Sequence, residues 1–161
     1  MIIPKDKFDK LVQPLIGLEV TRVWRGFGTA LFVELGKLSK KSYRLKSGKR
    51  KSFLVGQYSI FVGWDWRVEH SKSIYFGSWS TDKCINKRYS QLNGKFVSAI
   101  YYEGRLPELV VELSDRLWIH SFHVSSTSDT QPTWYIDLRS RKPRQFIGSN
   151  LGKLRSNIPI D

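Results

Sequence analysis

The chain has 161 residues, 40% of them hydrophobic and 14% aromatic, with a single cysteine and a formal charge of +13. That composition supplies enough buriable surface for one compact domain, which excludes a disordered tail, and one cysteine excludes a disulfide framework. No apolar run exceeds four residues, so neither a membrane span nor a secretory leader is expected, and the chain reads as cytoplasmic.

Pro4 to Leu15 places Phe8, Leu11, Val12 and Leu15 at helical spacing, with Pro4 suited to a first turn and Pro14 placed to end the helix. Val20 to Trp24 and Ala30 to Leu35 are β-branched or aromatic runs around Gly26-Phe27-Gly28, which predicts a hairpin. A third strand is expected where Ile60, Val62, Trp64, Trp66 and Val68 alternate against Ser59, Phe61, Gly63, Asp65 and Arg67. A fourth runs from Ile74 to Trp79 after a polar turn at His70 to Ser73. A second helix is predicted over Ser80 to Leu92, capped by Ser80-Thr81 and stopped by Asn93-Gly94. Phe96 to Tyr102, Glu108 to Leu113, Leu117 to Val124 and Thr133 to Leu138 then read as four more strands, the last pair joined by a polar turn at Ser125 to Gln131.

The halves match. Leu15 to Trp24 aligns with Leu92 to Tyr101, and after a one-residue insertion Leu31 to Leu35 aligns with Leu109 to Leu113. The predicted fold is therefore α+β and mainly antiparallel β. Two repeats of a short helix plus a four-stranded meander, 4–79 and 80–138, form one duplicated domain over 1–138, packed about a pseudo-two-fold axis.

Two segments break that symmetry. Lys37 to Lys51 is an insertion between strands two and three of the first repeat and holds Lys37, Lys40, Lys41, Arg44, Lys46, Lys49, Arg50 and Lys51. The stretch 139–161 reads as a basic C-terminal tail with Arg139, Arg141, Lys142, Arg144, Lys153 and Arg155. Together they hold 14 of the 27 Lys and Arg, so the remaining 13 face all 14 Asp and Glu and the body is close to neutral. Charge concentrated in this way reads either as an electrostatic footprint or as like charges that keep a loop and a tail solvated. On both readings the segments lie outside the core.

Leu15-Ile16-Gly17, Arg22-Val23-Trp24, Val33-Glu34-Leu35-Gly36, Trp64-Asp65-Trp66-Arg67, Phe76-Gly77-Ser78-Trp79 and Leu106-Pro107-Glu108-Leu109 together resemble the pattern of a group of small uncharacterised bacterial proteins. That group is similar to the immunity-type proteins of toxin systems in size and duplicated β character. The resemblance implies a bacterial, cytoplasmic setting and a binding role, and it carries no active site to transfer.

Candidate chemistry is sparse. His120 and His123 are three apart on a predicted strand and point to opposite faces, so they do not jointly ligate one metal ion; His120 reads as a core residue in phase with Trp118, Phe122 and Val124, and His123 as surface. Cys84 reads as a small buried hydrophobe. Asp65 and Glu69 share a predicted strand face with Arg67 between them, and Glu34 and Glu112 occupy equivalent positions that could meet near the axis. No nucleophile elbow, phosphate loop or Cys-His arrangement is present. Trp64, Trp66, Trp79 and Trp134 are assigned to strands and the core, leaving Trp24, Tyr43, Tyr101 and Tyr102 as candidate exposed rings.

The leading expectation is a non-enzymatic protein that holds nucleic acid or another polyanion, largely without sequence preference and without a cofactor or metal. The 14 basic residues named above, together with Tyr43, form its site. The alternative is an immunity-type inhibitor that caps an acidic surface of a partner protein, and a divalent-metal nuclease comes third.

Overall fold

The computed structural model describes residues 2–124, 132–150 and 153–157; the turn expected at Ser125 to Gln131 and the last residues of the expected tail lie outside them. The first helix, α1 (Lys5–Val12), continues into a 3-10 turn, Gln13–Leu15, and buries Phe8, Leu11, Val12 and Leu15. The second, α2 (Asp82–Arg88), is capped by the Thr81 hydroxyl, which accepts from the Cys84 N–H at 3.3 Å, and it ends in a 3-10 turn, Tyr89–Leu92. No helix among the described residues is long and apolar enough to cross a membrane.

Strands β1 (Val20–Arg25), β2 (Leu31–Leu35), β3 (Ser39–Arg44), β4 (Arg50–Val55), β5 (Tyr58–Val62), β6 (Trp66–His70) and β7 (Ser73–Gly77) precede α2. After it come β8 (Val97–Glu103), β9 (Glu108–Leu113), β10 (Leu117–Ser121), β11 (Trp134–Leu138), β12 (Gln145–Asn150) and β13 (Lys153–Ser156). They form a six-stranded sheet ordered β1-β2-β5-β11-β12-β13, a five-stranded sheet ordered β7-β6-β10-β9-β8, and the separate hairpin β3-β4. Every pairing is antiparallel. The fold is thus α+β and mainly antiparallel β, as the alternation predicts.

One core cluster takes the inward residues of both sheets and the apolar sides of both helices. In the six-stranded sheet a single inward row, Val23, Val33, Ile60, Ile136 and Ile147, crosses five strands in register. The sheets are also tied at their margins. Gly17 N–H donates to Val97 O and Gly94 N–H to Val20 O, each at 2.8 Å, and Glu19 bridges Phe96 between them. Both glycines have positive φ, +86° and +82°, a conformation that glycine adopts without a Cβ clash. The two core tryptophans anchor their rings to loop carbonyls, Trp66 to Thr29 O at 2.7 Å and Trp134 to Pro107 O at 2.6 Å.

The expected third strand is two strands. It breaks at Gly63-Trp64-Asp65, where the chain leaves the six-stranded sheet as β5 and enters the five-stranded one as β6. Each half keeps its alternation, with Ile60, Val62, Trp66 and Val68 all inward, and only the break itself departs from it. A Cβ on Gly63 would lie 3.1 Å from the Phe61 ring, and Trp64 adopts φ +27° at the crossing. Trp64 is 57% exposed instead of inward, while Trp66 is buried as expected. Trp79 is also no core residue: it lies past the end of β7, is 90% exposed, and donates its indole N–H to Asp65.

The phase expected for Leu117 to Val124 is inverted. Leu117, Ile119 and Ser121 are the buried residues, and Trp118 and His120 face outward. Phe122 lies beyond β10, half-buried beneath the Arg67 guanidinium. His123, expected at the surface, is half-buried with its ring nitrogen Nε2 2.6 Å from Ser149 Oγ.

The two basic segments also differ from expectation. The insertion is the ordered hairpin β3-β4, turned at Gly48 (φ +82°) with Leu45 N–H bonded to Lys49 O. The segment read as a tail supplies β12 and β13, whose Ile147 and Leu154 are buried in the core cluster. Within its charge it carries an apolar pair, Phe146 and Ile147, that fits a strand with one residue on each face.

Candidate functional site

The outward face of the six-stranded sheet carries aromatics where a solvent-facing strand surface ordinarily carries polar side chains. Trp24 of β1, Phe32 of β2, Phe61 of β5 and Tyr135 of β11 are direct cross-strand partners. Their rings form a continuous row: Trp24 and Phe32 stack at 3.9 Å and 4°, Phe32 and Phe61 lie 5.1 Å apart, and Phe61 and Tyr135 stack at 4.7 Å. Phe146 of β12 closes it edge-on at 5.9 Å from Tyr135. A guanidinium stands over each end, Arg22 over Trp24 and Arg144 over Phe146.

A second row lies beside the first: Arg22, Glu34, Ser59, Asp137 and Phe146, again in cross-strand register. Glu34 is 1% exposed and Asp137 2%. Burying two carboxylates this deeply is costly unless their acceptor sites are filled. Glu34 accepts from Trp24 Nε1 at 3.1 Å, Gly56 N–H at 2.8 Å, Ser59 Oγ at 3.2 Å and Arg139 Nη1 at 3.3 Å. Asp137 accepts from Arg139 Nε and Nη2 and from Arg144 Nε at 2.8–3.1 Å, with Arg144 Nη2 on the same carboxylate. Hydrogen bonding to Asp137 raises Arg144 above its already high ordinary value. Burial, with the Asp137 charge adding to it, pushes the Tyr135 phenol up to about 12.

The β3-β4 hairpin stands against the β1 side of this face. Arg22 Nη1 donates to Leu54 O at 2.7 Å, and the bond from Gly56 N–H to Glu34 fixes the hairpin's base. Strand alternation puts Lys41, Tyr43, Lys51 and Phe53 on one hairpin face and Lys40, Arg44 and Arg50 on the other. Two clefts result. One of about 360 Å³ lies between Phe53 and Val55 of the hairpin and the aromatic and charged rows of the sheet. The other, of about 430 Å³, is lined by Arg22, Trp24, Tyr43, Lys51, Ser52 and Phe53. They share Trp24 and Phe53, and Phe53 meets Tyr43 edge-on at 5.6 Å.

The predicted site residues divide accordingly. Lys37, Lys40, Lys41, Tyr43, Arg44, Lys46, Lys49, Arg50 and Lys51 are all exposed on the hairpin or its stem, and none of the eight cations forms an ion pair among the described residues. Arg139 and Arg144 reach the same cleft but are neutralised by Glu34 and Asp137, so they act as fixed walls and not as free cations. Arg141 and Lys142 lie between β11 and β12, while Lys153 and Arg155 lie on β13, three strands beyond β5 and on the order of 14 Å away. The turn that carries Arg141 and Lys142 adjoins the hairpin's base, where Ser140 Oγ donates to Gln57 O at 3.0 Å, whereas Lys153 and Arg155 sit on the strand at the far edge of the sheet.

The acids offered for metal chemistry are dispersed. Asp65 holds Trp79, Glu69 pairs with Arg67, and Glu34 and Glu112 lie in different sheets. His120 has Glu69, Glu103 and Glu108 within 4.0 Å, yet no group of three or more His, Cys, Asp and Glu among the described residues is placed to hold a metal ion. Tyr101 faces the other sheet's outer side and donates to Glu112, and Tyr102 packs edge-on against Phe8. Cys84 is half-buried against the core. Sequence reasoning missed Phe32, Phe53, Phe61, Tyr135 and Phe146. Phe32, Phe61 and Tyr135 carried a usable signal there, since each alternates out of phase with the inward residues of its strand.

No protein-family model, curated protein or solved structure matches the chain.

Proposed function

We propose that the chain is a binding protein that holds nucleic acid through the β3-β4 hairpin and the cleft at its foot. One observation carries the reading: eight cations without ion-pair partners among the described residues stand on a hairpin beside an aromatic sheet face. Phosphate supplies the opposite charge, and the hairpin provides it no competing carboxylate. Fluorescence anisotropy with a labelled oligonucleotide at low salt tests this. Binding that weakens when Lys40, Lys41, Lys49, Arg50 and Lys51 are replaced by Ser supports the reading, and absence of binding, or indifference to those changes, removes it.

The same proposal includes a duplicated origin for the fold. The strand orders β1-β2-β5-β11-β12 and β8-β9-β10-β6-β7 become identical when the halves are exchanged. The residues that bridge the sheets, Glu19 and Phe96, are equivalent positions of the two sequences. Register irregularities recur at Val20/Arg22 and Val97/Ala99, and Trp24 donates to Glu34 as Tyr101 donates to Glu112. On this reading the hairpin is a gain of one copy, because β9 and β10 are joined by Ser114 to Arg116 alone.

A second reading, an inhibitor capping a partner protein, is favoured by a different surface. Phe27, Trp64 and Trp79 are 91%, 57% and 90% exposed, Gly28 next to Phe27 lies against the Trp64 ring, and Trp79 donates to Asp65 next to Trp64, so this corner presents exposed apolar rings of the kind that dock proteins. Co-expression with the product of the adjoining gene separates the two. A stoichiometric complex that survives the hairpin changes and is lost in Trp79→Ser favours the inhibitor.

A further inference from the structure

The groove has two chemically different sides. The hairpin is cationic and holds no acid. The sheet side is aromatic; two of its three arginines, Arg139 and Arg144, are already balanced by two buried carboxylates, and the third, Arg22, stands at the hairpin's edge and donates to Leu54 O. A phosphate gains from the first side and little from the second. A planar, uncharged ring gains from the second, through stacking and contact with fixed hydrogen-bonding groups. Phe53 and Tyr43 are 39% and 46% exposed, and Trp24 gives one face to Phe32 while lining both clefts. Clefts of about 360 and 430 Å³ lie in the size range of small-molecule sites.

We propose that the ligand is a single strand, its phosphates on the hairpin and its unstacked bases in the paired clefts around Phe53 and Trp24. This rests on the reading above and narrows it. A duplex keeps its base faces stacked on one another, so it reaches the hairpin but offers nothing to the clefts. Oligo-dT and oligo-U share the required chemistry, and comparing them shows which sugar the site prefers.

The test measures the full-length chain against four labelled probes about 12 nucleotides long, within the ~4–16 typical of single-strand binders. They are oligo-dT, oligo-U, an abasic strand with the same sugar-phosphate backbone, and a duplex. The expected result is that the abasic strand and the duplex bind about 5- to 150-fold more weakly than the better single strand, the equivalent of roughly 1–3 kcal/mol for one stacked base. Phe53→Ala should remove a similar factor from the single strand and leave the abasic strand within about twofold, and Phe53→Trp should restore binding. Because Phe53 is exposed, unchanged abasic binding also reports an intact hairpin. Equal affinity for the abasic strand or for the duplex overturns the inference while leaving nucleic-acid binding in place. Failure of all four probes at low salt overturns both.

Discussion

Replacing Lys40, Lys41, Lys49, Arg50 and Lys51 by Ser gives a prediction whose size follows from the hairpin's geometry. All five are exposed and lack ion-pair partners among the described residues, so each is available to displace a counterion from a phosphate. If about six of the eight hairpin cations engage a single strand, at a slope of about −0.7 per contact, the log-log dependence on salt has a slope near −4. Raising salt from about 50 to about 200 mM then weakens binding by roughly 300-fold. The fivefold variant keeps one to three of those contacts, so its slope should fall to between about −0.7 and −2 and its affinity should change about 3- to 20-fold over the same range. Its melting temperature should stay close to the parent's, because exposed side chains of this kind contribute within about 0.5 kcal/mol each. Anisotropy titrations at four salt concentrations, paired with thermal unfolding, measure both quantities. An unchanged slope in the variant would show that phosphate is held elsewhere, and a collapse in melting temperature would show that the hairpin cations are structural.

Asp137→Ala should destabilise by roughly 1.5–3 kcal/mol in urea unfolding, because it removes the buried acceptor shared by Arg139 and Arg144 while Arg139 keeps Glu34 and Gly56 O; Arg144→Ala, at a half-exposed position, should cost below about 1 kcal/mol. Trp66→Ala and Trp134→Ala should each cost about 3–5 kcal/mol from lost burial and a residual cavity, whereas Phe122→Ala should cost about 1 kcal/mol since the ring is only half-buried. Burial lowers His123 below its ordinary 6.5, against a smaller opposing effect of Glu108, so the unfolded chain takes up this proton first as pH falls. Stability should therefore decline as pH drops from about 6.5 toward the lowered native value. His123→Gln should reduce that decline, and superimposable melting profiles of the two proteins across this window would refute the assignment.

Local chemistry in the sequence determined the elements. Helical spacing around Phe8 and Leu11, the Thr81 cap, the Gly94 stop and the alternation through Ile60 and Trp66 all reappear as α1, α2, β5 and β6 because each depends on neighbours within a turn or a pleat. The position of the cationic hairpin was legible for the same reason, since charge is a property of composition. Tertiary structure alone decided which sheet each strand joined and which face of it met solvent. An alternating run looks the same whether it stays in one sheet or crosses to another at Gly63. The aromatic row exists only because β1, β2, β5 and β11 pair in a register that aligns Trp24, Phe32, Phe61 and Tyr135. The loss of Arg139 and Arg144 from the cationic inventory is equally non-local: it follows from Glu34, 105 residues away from Arg139, being brought beside Asp137 by strand pairing.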